Sequence, residues 1–309
     1  IEAKGTATVP VLLPRLRAGD YYLNVFVKSP QGVETSGAQL LTIESPFGIG
    51  GVTTQTDFVE RGDTIRGVVS TRGVLPTGVR LLLRFRDSYD RVLREQELKP
   101  VANQNDYPFS YTATDADTIL MRAEAVVLDG AGEVESRVAE FTVPKRRHGQ
   151  FNFVMWDGPN DVLGYYAWKH LQEVGYNTCL MSSFGLSQQP SVLRACDTSM
   201  VPYSTRILDD KNEDGTMKPV CWNHEPKVSE YVQKIVDNQI NLRKQGVFVY
   251  SLGDEGVTKG CCVHPACLAA YRKWLQEQYG TIDKLNASWG EKYASFEEVN
   301  LLSDKDNME

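Results

Sequence analysis

Two neighbouring stretches hold the side chains best suited to chemistry. Val247-Phe-Val-Tyr-Ser-Leu-Gly-Asp-Glu-Gly256 is an apolar run ending in adjacent carboxylates, Asp254 and Glu255. In α/β barrels the reactive groups stand at the carboxyl ends of strands. A carboxyl held there partly out of water keeps its proton to higher pH and can act as a general acid. Paired with a second carboxylate serving as nucleophile or base, such an acid cleaves glycosidic bonds. Asp254 would accept hydrogen bonds from substrate hydroxyls, or raise the pKa of Glu255 further as a like charge. An acidic pair at a helix N-terminus, favoured by the macrodipole, has the same local sequence.

Cys261-Cys-Val-His-Pro-Ala-Cys267 follows at once. Thiolate and imidazole are the ligands zinc prefers, and Cys262, His264 and Cys267 are close enough for one loop to fill three of four tetrahedral positions. Cys221, in Pro219-Val-Cys-Trp-Asn-His224, is the natural fourth ligand, and Cys261 could exchange roles with Cys262. A zinc held by four protein ligands is structural, with no open position for substrate. The alternatives are free buried thiols, or a disulfide such as Cys221–Cys262 in an oxidising compartment. Cys179, inside a strand, and Cys196, ending a short helix, read as core residues.

Weaker candidates stand near other strand ends. Trp156 could stack on a sugar ring with Asp157 beside it, and Arg206 could bind substrate or neutralise Glu255; each is equally readable as packing or ion pairing. His224 reads as loop packing or a spare ligand. Asp210-Lys-Asn212-Glu-Asp214-Gly215 matches the first half of a calcium loop, but position twelve is Cys221, so a solvated acidic loop is expected. Asn286-Ala-Ser288 is a glycosylation sequon by pattern alone. There is no phosphate-cradling glycine loop and no Ser-His-Asp arrangement.

These groups need elements to position them, and the chain changes character part-way. Residues 1–145 read as all-β, with strands expected at Tyr21–Val27, Leu40–Ile43, Thr64–Ser70, Val79–Arg86, Met121–Leu128 and Val138–Val143, and a hairpin signal at Asp129-Gly130. Residues 46–145 are long enough for one immunoglobulin-like β-sandwich. Residues 1–45, with about three strands, read as a partial sandwich or an edge. From 146 to 309, strands at Phe151–Asp157, Asn177–Ser182, Met200–Ile207 and Val247–Leu252 alternate with helices, implying a parallel sheet. The helices are expected at Asp161–Val174, Gln188–Cys196, around Val228–Ile235 and at Pro265–Tyr279. Leu163, Ala167, Leu171 and Val174 are the expected inner face of the first. Four βα units are half of a (β/α)8 TIM barrel. The fold class is thus multidomain: an all-β region, then the first half of a barrel.

The 309 residues carry a net charge of -7, which argues against nucleic acid or an anionic membrane as partner. No apolar run approaches the ~18 residues of a membrane helix. With no initiator Met or signal peptide, the numbering is expected to start inside a longer precursor.

The segment Cys262–Gly290, ending Tyr-Gly-Thr-Ile-Asp-Lys-Leu-Asn-Ala-Ser-Trp-Gly290, resembles the one after strand four in family-42 glycoside hydrolases, the bacterial β-galactosidase group of a retaining clan with (β/α)8 barrels. Those enzymes show C-x-C-x-x-C, a helix, then Y-G-t-i-x-x-L-N-x-x-W-G; here His264 stands for the middle cysteine. The resemblance implies that Glu255 is the acid/base and that Cys221 joins the zinc ligands. The family has Asn before its acid/base, where this chain has Asp254, and draws its nucleophile Glu from the second half of the barrel. The reading is therefore the amino-terminal portion of a retaining glycosidase with a structural zinc, inactive alone. The expected partners are a carbohydrate substrate and either a second copy in a homo-oligomer or the complementing carboxy-terminal half of the barrel. The sandwich modules ahead of the barrel suggest a bacterial protein exported to the periplasm, cell surface or medium. The alternative is a non-catalytic glycan-binding or surface-assembly protein with a degenerate barrel.

Overall fold

The structure, a computed structural model, describes residues 5–101, 104–146, 149–160, 162–181, 189–203, 209–211, 217–219, 221–251 and 264–301. They form two compact units: Ile1–Arg146 with Ser191–Ser199 and Lys244–Gly246, and the remainder.

The first unit opens with a lone antiparallel hairpin, β1 (Gly19–Ser29) and β2 (Gly32–Ile43), so among the described residues 5–45 there are two strands where about three were expected. Seven strands follow: β3 (Gly48–Thr54), β4 (Thr64–Arg72), β5 (Arg80–Asp87), β6 (Val92–Leu98), β7 (Asp106–Thr112), β8 (Leu120–Asp129) and β9 (Gly132–Thr142). They make two antiparallel sheets, ordered β3-β4-β7 and β6-β5-β8-β9. Strict alternation puts Ile65, Val69, Leu81, Leu83, Phe85 and Tyr111 in one core. Phe85 stacks on Tyr111 at 4.2 Å and meets Phe109 edge-on at 5.9 Å. A ring buried this way is worth ~1.5–3 kcal/mol in transfer from water.

β3, β6 and β7 lack an obvious strand signal. β3 is Gly-Ile-Gly-Gly-Val-Thr-Thr; β6, at a sheet edge, carries Arg94, Glu95 and Glu97; β7 contains Pro108. Each forms because neighbours supply the burial its own sequence does not advertise. β7 keeps Tyr107, Phe109 and Tyr111 inward, with Pro108 facing out.

The second unit alternates strand and helix. β10 (Val154–Trp156) pairs in parallel with β11 (Thr178–Met181), and β12 (Ser199–Pro202) lies next. Beyond it Val247 bridges Met200 in parallel, while the Phe248 and Ser251 amides donate to the Met200 and Pro202 carbonyls. The fourth strand is thus reduced to a bridge with flanking hydrogen bonds, and 252 lies outside the described residues. α1 (Gly164–Glu173) buries Trp168, not the expected stripe: Ala167 and Leu171 are half-buried, whereas Leu163 and Val174 flank the helix exposed. α2 (Gln189–Ala195) follows β11 in the chain, its residues from Ser191 onward belonging to the first unit.

The expected acidic loop contains a hairpin, β13 (Asp209–Lys211) paired with β14 (Met217–Pro219). Residues 212–216, between its strands, lie outside the described residues. α3 (Glu225–Gln239) starts with Pro226 in its first turn, and α4 (Pro265–Tyr279) is capped by the His264 side chain, which accepts from Ala266 N–H. α5 (Ile282–Trp289) ends at left-handed Gly290. Among the described residues no helix is long and apolar enough to cross a membrane.

Candidate functional site

Trp156 is the last residue of β10 and Tyr203 follows β12, so both rings emerge at the carboxyl end of the parallel sheet. Their centroids are 5.1 Å apart with planes tilted by 55°, and Trp156 is 56% exposed. Tyr203 went unnoticed in the sequence; its signal is position alone, one residue past the third strand. Asp157 has a left-handed backbone, φ 43°, and its amide donates to Leu180 O. A non-glycine residue there is uncommon and marks a turn imposed by its surroundings.

The turn is fixed from behind. A Cβ at Gly158 would come within 2.2 Å of the Trp168 ring, so only glycine fits. Trp168 Nε1 donates to Pro159 O at 2.8 Å and Gln189 Nε2 donates to Gly158 O at 2.7 Å. The loop after β10 is therefore held by two buried side chains while Trp156 and Asp157 face solvent. Arg206, Asp254 and Glu255 lie outside the described residues.

Of the four expected metal ligands, Cys221, His264 and Cys267 are described and Cys262 is not. Cys221 Sγ and Cys267 Sγ stand 3.3 Å apart though 46 positions separate them. That distance exceeds the ~2.05 Å of a disulfide, so no disulfide joins them. Asn223 Nδ2 donates to Cys267 Sγ at 3.2 Å, and Cys267 lies in the first turn of α4. The His224 and His264 rings stack at 4.6 Å. His264 Nδ1 is taken by the helix cap, which leaves Nε2 as its ligating atom. Among the described residues no three Cys, His, Asp or Glu side chains are gathered tightly enough to hold one ion. What the described residues show is two separate close pairs, Cys221 with Cys267 and His224 with His264.

Cys179 and Cys196 are buried, 0% and 2% exposed. Burial pushes the Cys179 thiol up to about 11, with a backbone hydrogen bond from Gly158 pulling slightly the other way. It therefore stays protonated and non-nucleophilic at pH 8. We expect Cys179 to resist an aromatic disulfide reagent at pH 8 in the native protein and to react fully in denaturant, read by mass spectrometry of labelled peptides; native labelling would contradict its placement in the core.

The motif from Tyr279 to Gly290 has a structural explanation. Thr281 caps α5 by accepting from Lys284 N–H, and Gly280 and Gly290 hold φ of 72° and 76°. Leu285 packs with Leu275 and Val299, ringed by Tyr271, Tyr279 and Ile282. Trp289 Nε1 donates to the Tyr279 hydroxyl at 2.9 Å. Asn286 clamps one backbone residue twice: its Nδ2 donates to Tyr293 O and its Oδ1 accepts from Tyr293 N. The sequon amide is thus occupied in the fold. Asn286→Ala orphans both Tyr293 groups and should cost ~1–3 kcal/mol, seen as a lower melting temperature; an unchanged melt would refute the clamp.

Comparison with known proteins follows this geometry. The β-galactosidase family of glycoside hydrolases, family 42, matches residues 203–308. β-Galactosidase BgaP of Planococcus sp. (strain L4) is 28% identical over 162 residues, 48% of this chain and 23% of that protein. A Thermus thermophilus β-galactosidase is 47% identical over 45 residues, 13% of this chain and 7% of that protein. Bacteroides uniformis β-glucuronidase 3 superposes on 82% of this chain and 32% of that one, at 9% identity and a TM-score of 0.31, too low to indicate a shared fold. The chain spans less than a quarter of the length of the first curated relatives it matches. The resemblance seen in Cys262–Gly290 is borne out: the carboxy-terminal part of this chain is family-42-like in sequence.

Proposed function

We propose that residues 146–309 are the first four βα units of a (β/α)8 barrel, and that the parent polypeptide is a retaining, β-galactosidase-like glycoside hydrolase. The observation that carries this reading is the family-42 match over 203–308, which includes Asp254, Glu255 and the cysteine-histidine loop. The sheet order β10-β11-β12, with β10 and β11 parallel and Val247 bridging Met200 in parallel, supports it, as does the emergence of Trp156 at the end of β10 and Tyr203 just past β12.

In this reading Glu255 protonates the glycosidic oxygen as the leaving group departs, then deprotonates the attacking water. Trp156 and Tyr203 present ring faces to the sugar, and Asp157, Asp254 and Arg206 accept from or donate to its hydroxyls. The nucleophile is a carboxylate from the second half of the barrel. A retaining pair must stand ~5–5.5 Å apart, so the 309 residues alone do not turn over substrate. Cys221, Cys262, His264 and Cys267 would hold a structural zinc, which supplies a cross-link between the loops before α3 and α4. For the amino-terminal region, strand order β3-β4-β7 against β6-β5-β8-β9 over one core supports an immunoglobulin-like sandwich. Modules of this kind ahead of a barrel fit an exported protein.

The deciding experiment compares the 309-residue chain with its complete parent on an aryl β-D-galactoside, following the product anomer by NMR. The reading requires no turnover by the former and retention of configuration by the latter. Glycan binding without cleavage by the complete parent would instead make the barrel a binding scaffold.

A further inference from the structure

The first hairpin of the chain repeats the last hairpin of the seven-stranded domain in register. β1 and β2 pair from Gly19↔Ile43 to Ser29↔Gly32; β8 and β9 pair from Leu120↔Thr142 to Asp129↔Gly132. Displaced by one hundred positions, Tyr21↔Leu41 falls on Met121↔Phe141, Lys28↔Val33 on Leu128↔Glu133 and Ser29↔Gly32 on Asp129↔Gly132. The register shift lies between Val27 and Lys28 in one hairpin and between Val127 and Leu128 in the other. Gly32 and Gly132 both take positive φ, 136° and 125°, a region that favours glycine. Identical residues are few (Val27/Val127, Gly32/Gly132, Ser36/Ser136, Thr42/Thr142), so the agreement is geometric. Turn length and bulge position set a hairpin's register, and these two hairpins share both.

Their surroundings differ. The inner face of β8–β9, with Met121, Ala123, Ala125, Val127 and Phe141, is fully buried, and the second edge of β8 is bonded to β5. The same positions of β1–β2 hold Tyr21, Leu23, Val25, Val27 and Leu41, an equally apolar set. Yet Val25 is 51% and Val27 48% exposed, and among the described residues β1 pairs with β2 alone. A two-stranded ribbon is marginal in water, and an open strand edge is a template for another strand. Within this unit the hairpin is tethered at its entry: Ala18 N–H donates to Val134 O, Arg15 pairs with Asp129 and Arg17 with Glu133.

We propose that β1–β2 is the closing hairpin of a second two-sheet domain of the same design. Its occupant is a five-strand set, in which a strand equivalent to β5 pairs antiparallel with the free edge of β1. Strands equivalent to β3, β4, β6 and β7 complete the two sheets and bury Leu23, Val25, Val27 and Leu41. In the complete copy those five strands precede the hairpin in chain order. The same order places their counterparts on the amino-terminal side of Gly19 in the parent polypeptide. This proposal is independent of the enzymatic reading.

The test is hydrogen exchange on the 309-residue chain and on the parent polypeptide extended upstream, in its native reading frame, by the span separating Gly48 from Leu120. In the 309-residue chain β1 amides should exchange at least ~100-fold faster than β8 amides; in the extended protein the gap should close to about tenfold or less. Val25→Asp should reopen it in the extended protein and leave the melting of the shorter chain unchanged. Fast exchange that extension does not slow, or β1 amides already protected in the shorter chain, would overturn the proposal. So would protection that rises with protein concentration alongside a dimer seen by sedimentation, which makes a second copy the occupant.

Discussion

Replacing Glu255 by Gln in the complete parent is expected to lower kcat/KM for an unactivated β-galactoside by about 10²–10⁴-fold, the usual contribution of a general acid-base group. The loss should fall on kcat rather than KM, because proton transfer to the leaving oxygen is an interaction of the transition state. A substrate with a good leaving group, such as a dinitrophenyl galactoside, needs little protonation and should retain far more of its rate in the cleavage step. That contrast separates a group acting on the leaving oxygen from one that merely supports the fold, which would depress both substrates alike. Equal losses for the two substrates, or wild-type rates in the variant, would remove Glu255 from the chemistry. If wild-type binding also persists, the barrel is a glycan-binding scaffold.

Metal analysis carries the second large effect. The purified chain should hold about one zinc, and Cys221→Ser or Cys267→Ser should each reduce that content to near zero, because the two sulfurs already face each other at 3.3 Å. Cys179→Ser and Cys196→Ser, at core positions, should leave it unchanged. Binding requires deprotonated thiolates and neutral imidazole, so the zinc should be released as pH falls and protons liberated as it binds. Removing it with a chelator should lower the melting temperature of the second unit and leave the seven-stranded domain untouched. A mass deficit of two hydrogens with a Cys221–Cys267 cross-linked peptide would sink the metal in favour of a disulfide, as would zinc content unaffected by Cys267→Ser.

A metal-free but active parent would mean that packing alone orients the loop. A metal-loaded but inactive one would put the weight on Asp254, which stands where the family keeps Asn.

Much of this was legible in the sequence, and the exceptions have physical reasons. Strands with strict alternation or long apolar runs, such as β5 and β8, announce themselves, because burial on a sheet face demands period two. The capped helix from Pro265 to Tyr279 is equally plain, with Leu275 and its tyrosine neighbours on one side.

What only the tertiary structure decided are relations between distant residues. Glycine-rich β3 and charged β6 become strands because β4 and β5 bring the hydrogen bonds and core that their own side chains do not specify. Trp168 rather than the Leu163–Val174 stripe anchors α1, because Gly158 leaves room for a large ring at that one spot. Tyr203 joins Trp156 only through the side-by-side order of β10, β11 and β12, and Cys221 meets Cys267 across 46 positions. Local propensity reaches a few residues along the chain; which strand lies beside which, and which loops face each other, is set by burial of the whole surface at once.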